Sequence, residues 1–306
     1  MCRFVILLVT TLCLLGCNNA QQTVSGPQLQ RITYQSNVEN IERDYFVYLP
    51  KGYASDKTKQ WPLMLFLHGN GERGDGKKQL GHVLKHGPLY EAWIQKKDLP
   101  FIIISPQLPM FGFDKMGIGY IDQRTDDSIP VRLNDGVPER PSAFVTAGEL
   151  TGAIAVDMTE QAPLFPMGWE QVETDLLDML THVKQHYRTD NHRVYLTGLS
   201  YGGVGTWYMA SKHPKLFAAI APVVGWGHPS LMEPIAQQQL PVWAFAGGRD
   251  SAVVVERFYH GLNTLEQLGH PDVRFTVHED MGHDTWTRVY SGDDIYTWLL
   301  NHKIGK

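Results

Sequence analysis

The stretch Val194-Tyr195-Leu196-Thr197-Gly198-Leu199-Ser200-Tyr201-Gly202-Gly203 decides the fold. An apolar run ends at a serine with glycine two residues to either side, and a helical segment to Ala210 follows. That pattern reads as strand, sharp turn, helix. In such an elbow the turn forces the serine into a strained conformation, and its flanks must be small because strand and helix backbones pass close by. Gly198 and Gly202 meet that need. The same turn aims the amide of Tyr201 at the place where an oxyanion would form.

Downstream, Leu240 to Ala246 reads as a buried strand that ends in Gly247-Gly248-Arg249-Asp250. Asp250 then sits just past the carboxyl end of a strand, where open α/β sheets place functional groups. A further strand, Val273 to Val277, leads to Met281-Gly282-His283-Asp284-Thr285-Trp286. The candidate order is Ser200, Asp250, His283, with gaps of 50 and 33 residues. Each gap holds a strand–helix unit, so all three residues can return to one sheet edge. Asp272, Asp280 and Asp284 are rival acids. Asp272 precedes its strand and lies at the wrong edge, and the other two stand very near His283 in sequence.

Upstream, Trp61 to Leu67 is almost wholly apolar, as a strand covered on both faces should be. It runs into His68-Gly69-Asn70-Gly71-Glu72-Arg73-Gly74. This turn offers a second oxyanion amide, assigned to Asn70 with Gly71 as the fallback. His68 is read as a brace for the loop, and Glu72-Arg73 as a local ion pair or a pin for it.

Together with Ser105-Pro106-Gln107 and Phe217 to Pro222, these motifs resemble the α/β-hydrolase superfamily over residues ~60 to 300. Within it the chain is similar to the esterase and predicted-peptidase group related to polyhydroxybutyrate depolymerases, feruloyl esterases and dienelactone hydrolases. The resemblance implies a mostly parallel twisted sheet with helices on both faces. It also implies a triad of Ser200, Asp250 and His283, the amides of Tyr201 and Asn70 as oxyanion hole, and no metal or organic cofactor. Many dienelactone hydrolases carry a cysteine nucleophile, so the serine here weakens that reading.

The N-terminus speaks to location. Arg3 precedes an apolar run from Phe4 to Leu15, too short at ~12 residues for a spanning helix, which needs ~20. Leu14-Leu15-Gly16-Cys17 resembles a bacterial lipobox. Residues 1–16 are therefore expected to be a signal peptide and Cys17 a lipidated residue, with an ordinary secretory leader or a buried strand with a chance cysteine as the alternatives. Residues 17–30 would form a tether on the bacterial cell envelope. Asn18, rather than Asp, points to the outer membrane if the cell is Gram-negative. The three cysteines are Cys2, Cys13 and Cys17, so the mature domain would have no thiol for catalysis or zinc.

The net charge is −5, and loss of Arg3 with the leader makes it −6, from 26 basic and 32 acidic residues. With no basic run, nucleic acid is an unexpected partner. Residues 31–306 read as one hydrolase domain with two leading antiparallel strands and about six parallel ones. Helices are expected over 78–97, 168–187 and 285–301.

Residues 107–166 interrupt the pattern where a short connection is due, and long irregular segments are often functional. They read as a β-containing lid, with strands at Ile129–Leu133 and Ala153–Val156, or else as a surface decoration. Phe111, Phe113, Tyr120 and Phe144 are its candidate pocket aromatics, with Trp226 and Trp286 outside it. His82/His86 and His182/His186 stand at helical spacing but lack the Glu of a zinc-protease helix, so no metal site is assigned. Three functions fit: a serine hydrolase of carbohydrate-linked or short acyl esters, a prolyl-oligopeptidase-type serine peptidase, and a non-catalytic binding lipoprotein. The peptidase type normally carries a large propeller or cap, which favours the esterase. Occupied catalytic positions disfavour the third.

Overall fold

The computed structural model describes residues 25–140, 145–150, 152 and 154–305. Cys17, the leader and Phe144 lie outside the described residues. Eight strands form one sheet in the order β1-β2-β4-β3-β5-β6-β7-β8. They are β1 (Gln28–Gln35), β2 (Glu42–Leu49), β3 (Trp61–Leu67), β4 (Ile102–Ser105), β5 (Thr189–Leu199), β6 (Ala219–Val223), β7 (Val242–Gly247) and β8 (Val273–His278). β1 and β2 pair antiparallel, β2 pairs antiparallel with β4, and the strands from β4 to β8 run parallel. β1 already pairs at Gln28, so the predicted tether gives its last three residues to the sheet.

The helices are α1 (Gly119–Asp122), α2 (Glu173–His186), α3 (Tyr201–Lys212), α4 (Met232–Gln238), α5 (Glu256–Gln267), α6 (Trp286–Ser291) and α7 (Asp294–Leu300). Every residue of β3 is buried. The two-residue period of a strand explains how: Leu63, Leu65 and Leu67 face one core with Leu176, Leu180 and Phe258. Met64 and Phe66 face the other with Leu89, Ile295 and Trp298. Each such side chain contributes roughly 1.5–3 kcal/mol by leaving water.

The predicted helix over 78–97 is instead a 3-10 turn, Leu80–Leu84, and a π turn, Tyr90–Ile94. Gly87 between them has φ +82°, and a β-carbon there would stand 2.2 Å from the Phe66 ring. Pro88 follows and cannot continue a helix. The predicted helix over 285–301 divides into α6 and α7 at Gly292, which is extended.

The insertion also departs from expectation. Ile129–Leu133 is not a strand, nor is 154–156, and Ala153 lies outside the described residues. Pro130 lacks the N–H a ladder needs. Side chains hold the segment instead: the Arg132 guanidinium lies 4.2 Å over Trp93, and Lys96 Nζ donates to Asn134 O at 2.9 Å. Among the described residues no helix is long and apolar enough to cross a membrane.

Candidate active site

Ser200 stands at φ 53° and ψ −116° between β5 and α3, a strained backbone that the surrounding packing imposes. Its N–H donates to Val223 O at 2.9 Å. The tightness of the elbow explains Gly202, where a β-carbon would fall 1.9 Å from Leu67 O.

Three strand ends bring Ser200, Asp250 and His283 together. His283 Nε2 is 2.9 Å from Ser200 Oγ, and His283 Nδ1 is 2.8 Å from Asp250 Oδ2. A carboxylate only accepts, so Nδ1 carries the proton and Nε2 is free to accept from the hydroxyl. Asp250 is fully buried, and its other oxygen accepts from the amides of Ala252 at 2.9 Å and Val253 at 2.8 Å. Both oxygens are thus fixed. Two of the rivals, Asp280 and Asp272, face other partners. Asp280 receives both arms of Arg288 at 2.6 and 2.7 Å, which hold its carboxyl down to about 2. Asp272 lies 3.7 Å from Arg274 Nε.

Tyr201 is the first residue of α3, so its N–H has no acceptor one turn back in the helix. Asn70 opens a 3-10 turn directly after β3. Its side chain is clamped from both ends, donating to Tyr120 Oη at 2.7 Å and accepting from Arg73 Nε. Arg73 does not pair with Glu72. It donates to Pro109 O at 2.8 Å and Met167 O at 2.7 Å, tying this turn to the start of the insertion and to the residue just past its end. Burial lowers its pKa to about 10, which still leaves it charged at neutral pH.

His68 is buried, and burial pushes its pKa down to about 3. Its Nε2 accepts from Leu108 N at 2.9 Å and its Nδ1 donates to Gly69 O at 2.6 Å, so it braces the turn as a neutral ring.

A cleft of about 480 Å³ opens over Ser200. Tyr120 and Trp286 line it, as does Phe165, whose ring is tilted against the Tyr201 ring with centroids 4.7 Å apart. Phe113 packs behind Tyr201 at 6.1 Å, Phe111 packs on the core, and Trp226 is buried. Sequence reasoning missed Phe165, Lys85, His86 and Arg124 at this cleft. Burial lowers the pKa of both Lys85 and Arg124. Glu72 Oε1 lies 3.6 Å from His86 Nε2.

The insertion reaches the loop that bears His283 as well. Thr146 N donates to Asp280 O at 2.9 Å, and its Oγ1 accepts from Gly282 N, next to His283, at 2.9 Å. His182 and His186 stack 4.2 Å apart on α2. Among the described residues no group of three or more His, Cys, Asp or Glu could hold a metal ion.

The prolyl oligopeptidase family matches residues 168–230, the segment that carries the elbow. No curated protein matches the chain. Solved structures do. A thermostable esterase is 23% identical with a TM-score of 0.58, over 90% of this chain and 63% of that one. This chain therefore spans less than two thirds of that esterase. A feruloyl esterase module from Clostridium thermocellum, complexed with sinapinate, is 16% identical with a TM-score of 0.55 over 90% and 87%. A putative dienelactone hydrolase from Klebsiella pneumoniae is 13% identical with a TM-score of 0.51 over 90% and 96%. Sheet order, elbow and these likenesses agree: the chain has the α/β-hydrolase fold.

Proposed function

We propose that the chain is a serine carboxylic-ester hydrolase that works through an acyl-enzyme. One observation carries this reading: the hydrogen-bonded line from Ser200 Oγ through His283 to the buried Asp250. Ser200 Oγ attacks the carbonyl carbon and passes its proton to His283 Nε2. Asp250 orients the ring and stabilises the imidazolium. The amides of Tyr201 and Asn70 take the developing oxyanion. The C–O bond to the alcohol breaks, and the alcohol leaves with the proton from His283. Water then repeats the sequence and releases the acid. None of these steps calls for a metal or an organic cofactor.

Esterases and a feruloyl esterase among the similar structures support an ester substrate. The match of residues 168–230 to the prolyl oligopeptidase family favours a second reading, a serine peptidase. Release of p-nitrophenol from acetate, butyrate and octanoate esters, with wild type beside Ser200→Ala, tests the first. A proline-containing peptide p-nitroanilide tests the second. Hydrolysis of the esters by wild type alone supports the esterase, while cleavage of the anilide alone transfers the assignment to the peptidase.

We also propose that Cys17 carries lipid and holds the domain on the cell envelope, on the strength of Leu14-Leu15-Gly16-Cys17 behind a short charged, apolar leader. Labelled palmitate should enter wild type and not Cys17→Ser.

A further inference from the structure

The large apolar side chains of the insertion between Val145 and Asp157 face water. Ile154 is 84% exposed, and Val145, Leu150 and Val156 are exposed as well. Met158 is the first to be fully buried, in one cluster with Phe258 and Leu262. The contacts that dock this stretch on α5 are polar. Glu256 takes Gly152 N on Oε1 at 2.6 Å and Val156 N on its carbonyl at 3.2 Å. Two histidines then hold the peptide groups of Met158. Met158 N donates to His260 Nδ1 at 3.2 Å, and His228 Nε2 meets Met158 O at 3.0 Å.

These partners fix both rings. A main-chain N–H only donates, so His260 Nδ1 is a bare acceptor. Ser230 N donates to His228 Nδ1 at 3.2 Å, so the proton of that ring sits on Nε2 and points at Met158 O. Both rings are therefore neutral while the stretch is docked. A second proton on His260 has one place to go, Nδ1, where it meets the N–H of Met158 head on. On His228 a second proton would displace Ser230 N and leave Met158 O held. We propose that His260 is a pH-sensitive latch: the neutral ring docks the insertion on α5, and the protonated ring lets it go.

The docked state excludes the proton and the released state accepts it. Docking is thus whole above the imidazole range and weakens as pH falls through that range. Two carboxylates stand near the ring, Glu256 one turn earlier on α5 and Asp157 on the insertion. Asp157 Oδ1 accepts from Thr159 N at 2.9 Å and Thr159 Oγ1 at 2.6 Å. Neither carboxylate supplies the acceptor that Met158 N loses, and across Met158 the facing group is His228. A stretch with so little buried apolar surface opens locally with ease, so one lost bond counts. What is released matters to the site. Thr146, bonded next to His283, lies upstream of the latch, and Phe165, a wall of the cleft over Ser200, lies downstream.

The test reads exchange of the Val156 and Met158 amides with deuterium, as protection factors, so that the intrinsic pH dependence of exchange cancels. Between pH 7.5 and 5.5 wild type should lose protection about 10-fold at both amides, the effect of an ordinary imidazole that only the released state protonates. The Leu65 amide, in the middle of the sheet, should keep its protection. His260→Asn offers an oxygen near the place of Nδ1 and does not titrate. Its profile should be flat over the same range, at high protection if the oxygen reaches Met158 N and at low protection if it falls short. A wild-type profile without the fall, or a fall in His260→Asn as steep as in wild type, overturns the proposal. An equal loss at Leu65 does so too, since the whole domain would then be opening. None of these outcomes bears on the esterase reading, which the latch does not need.

Discussion

Arg73 and Asn70, three residues apart, are bonded side chain to side chain, so the turn after β3 is fixed by a cation whose other two arms grip Pro109 in the insertion and Met167 just past it. The geometry of the Asn70 turn therefore depends on a residue that does not line the cleft over Ser200.

Arg73→Lys keeps the charge and loses the planar fork that reaches three acceptors at once. The expected result is a fall in kcat of about 10-fold or more with KM little changed, since the donor proposed at the Asn70 amide acts in the transition state. Steady-state kinetics on p-nitrophenyl acetate read the split. A rise in KM at constant kcat would place Arg73 in ground-state binding instead.

Asp250→Asn removes the acceptor that sets the His283 tautomer. A fall in kcat on the order of 10⁴-fold is expected. Asp280→Asn, whose carboxylate belongs to Arg288, should stay within about 10-fold of wild type. The reverse ranking would move the acid to Asp280.

Gly202→Ala drives a methyl group into Leu67 O, which lies 1.9 Å from the required position. Backbone cannot rotate away as a side chain can, so a loss of at least ~1–3 kcal/mol in urea unfolding is expected. Gly26→Ala, with open space around it, should leave the midpoint unchanged.

The elbow and the closeness of Ser200, Asp250 and His283 were legible because they hang on local signals. An apolar run, a small-residue turn and an Asp or His just past a strand each act within a few residues. The insertion was not legible, because what holds it lies far away in sequence. Arg73 bonds Met167 O across 94 residues, and Arg140 meets Glu91 across 49. No periodicity announces bonds of that kind. The 78–97 segment misled for a different reason. Its apolar spacing is helical, yet the Phe66 ring fills the place that a side chain at position 87 would need. Phe165 escaped notice because it stands at the far end of the insertion, beside Pro166, and comes back over Tyr201 only in the fold.

Acid stability gives a further expectation. His68 holds its pKa near 3 in the fold because burial disfavours the charged ring, against 6.5 in the open chain. Between those values the unfolded state binds the extra proton, so the contribution is whole above pH 6.5 and is lost as pH falls toward 3. His82, lowered to about 4 by burial, acts in the same direction. Unfolding free energies from urea titrations between pH 7 and 4.5 should fall, by up to about 1.4 kcal/mol per pH unit for each group. His68→Asn should show a shallower fall. A parallel profile would mean that the ring is solvated in the fold.

The Thr146 clip onto Gly282 has a consequence for motion. The insertion and the loop bearing His283 share a hydrogen bond, so the insertion cannot lift without freeing the amide next to His283. Local opening of one should then be opening of the other, a single cooperative unit in which the amide protons of Thr146 and Gly282 exchange with solvent deuterium at a common rate. A ligand that holds the insertion down would slow both, and would quiet the histidine without touching it.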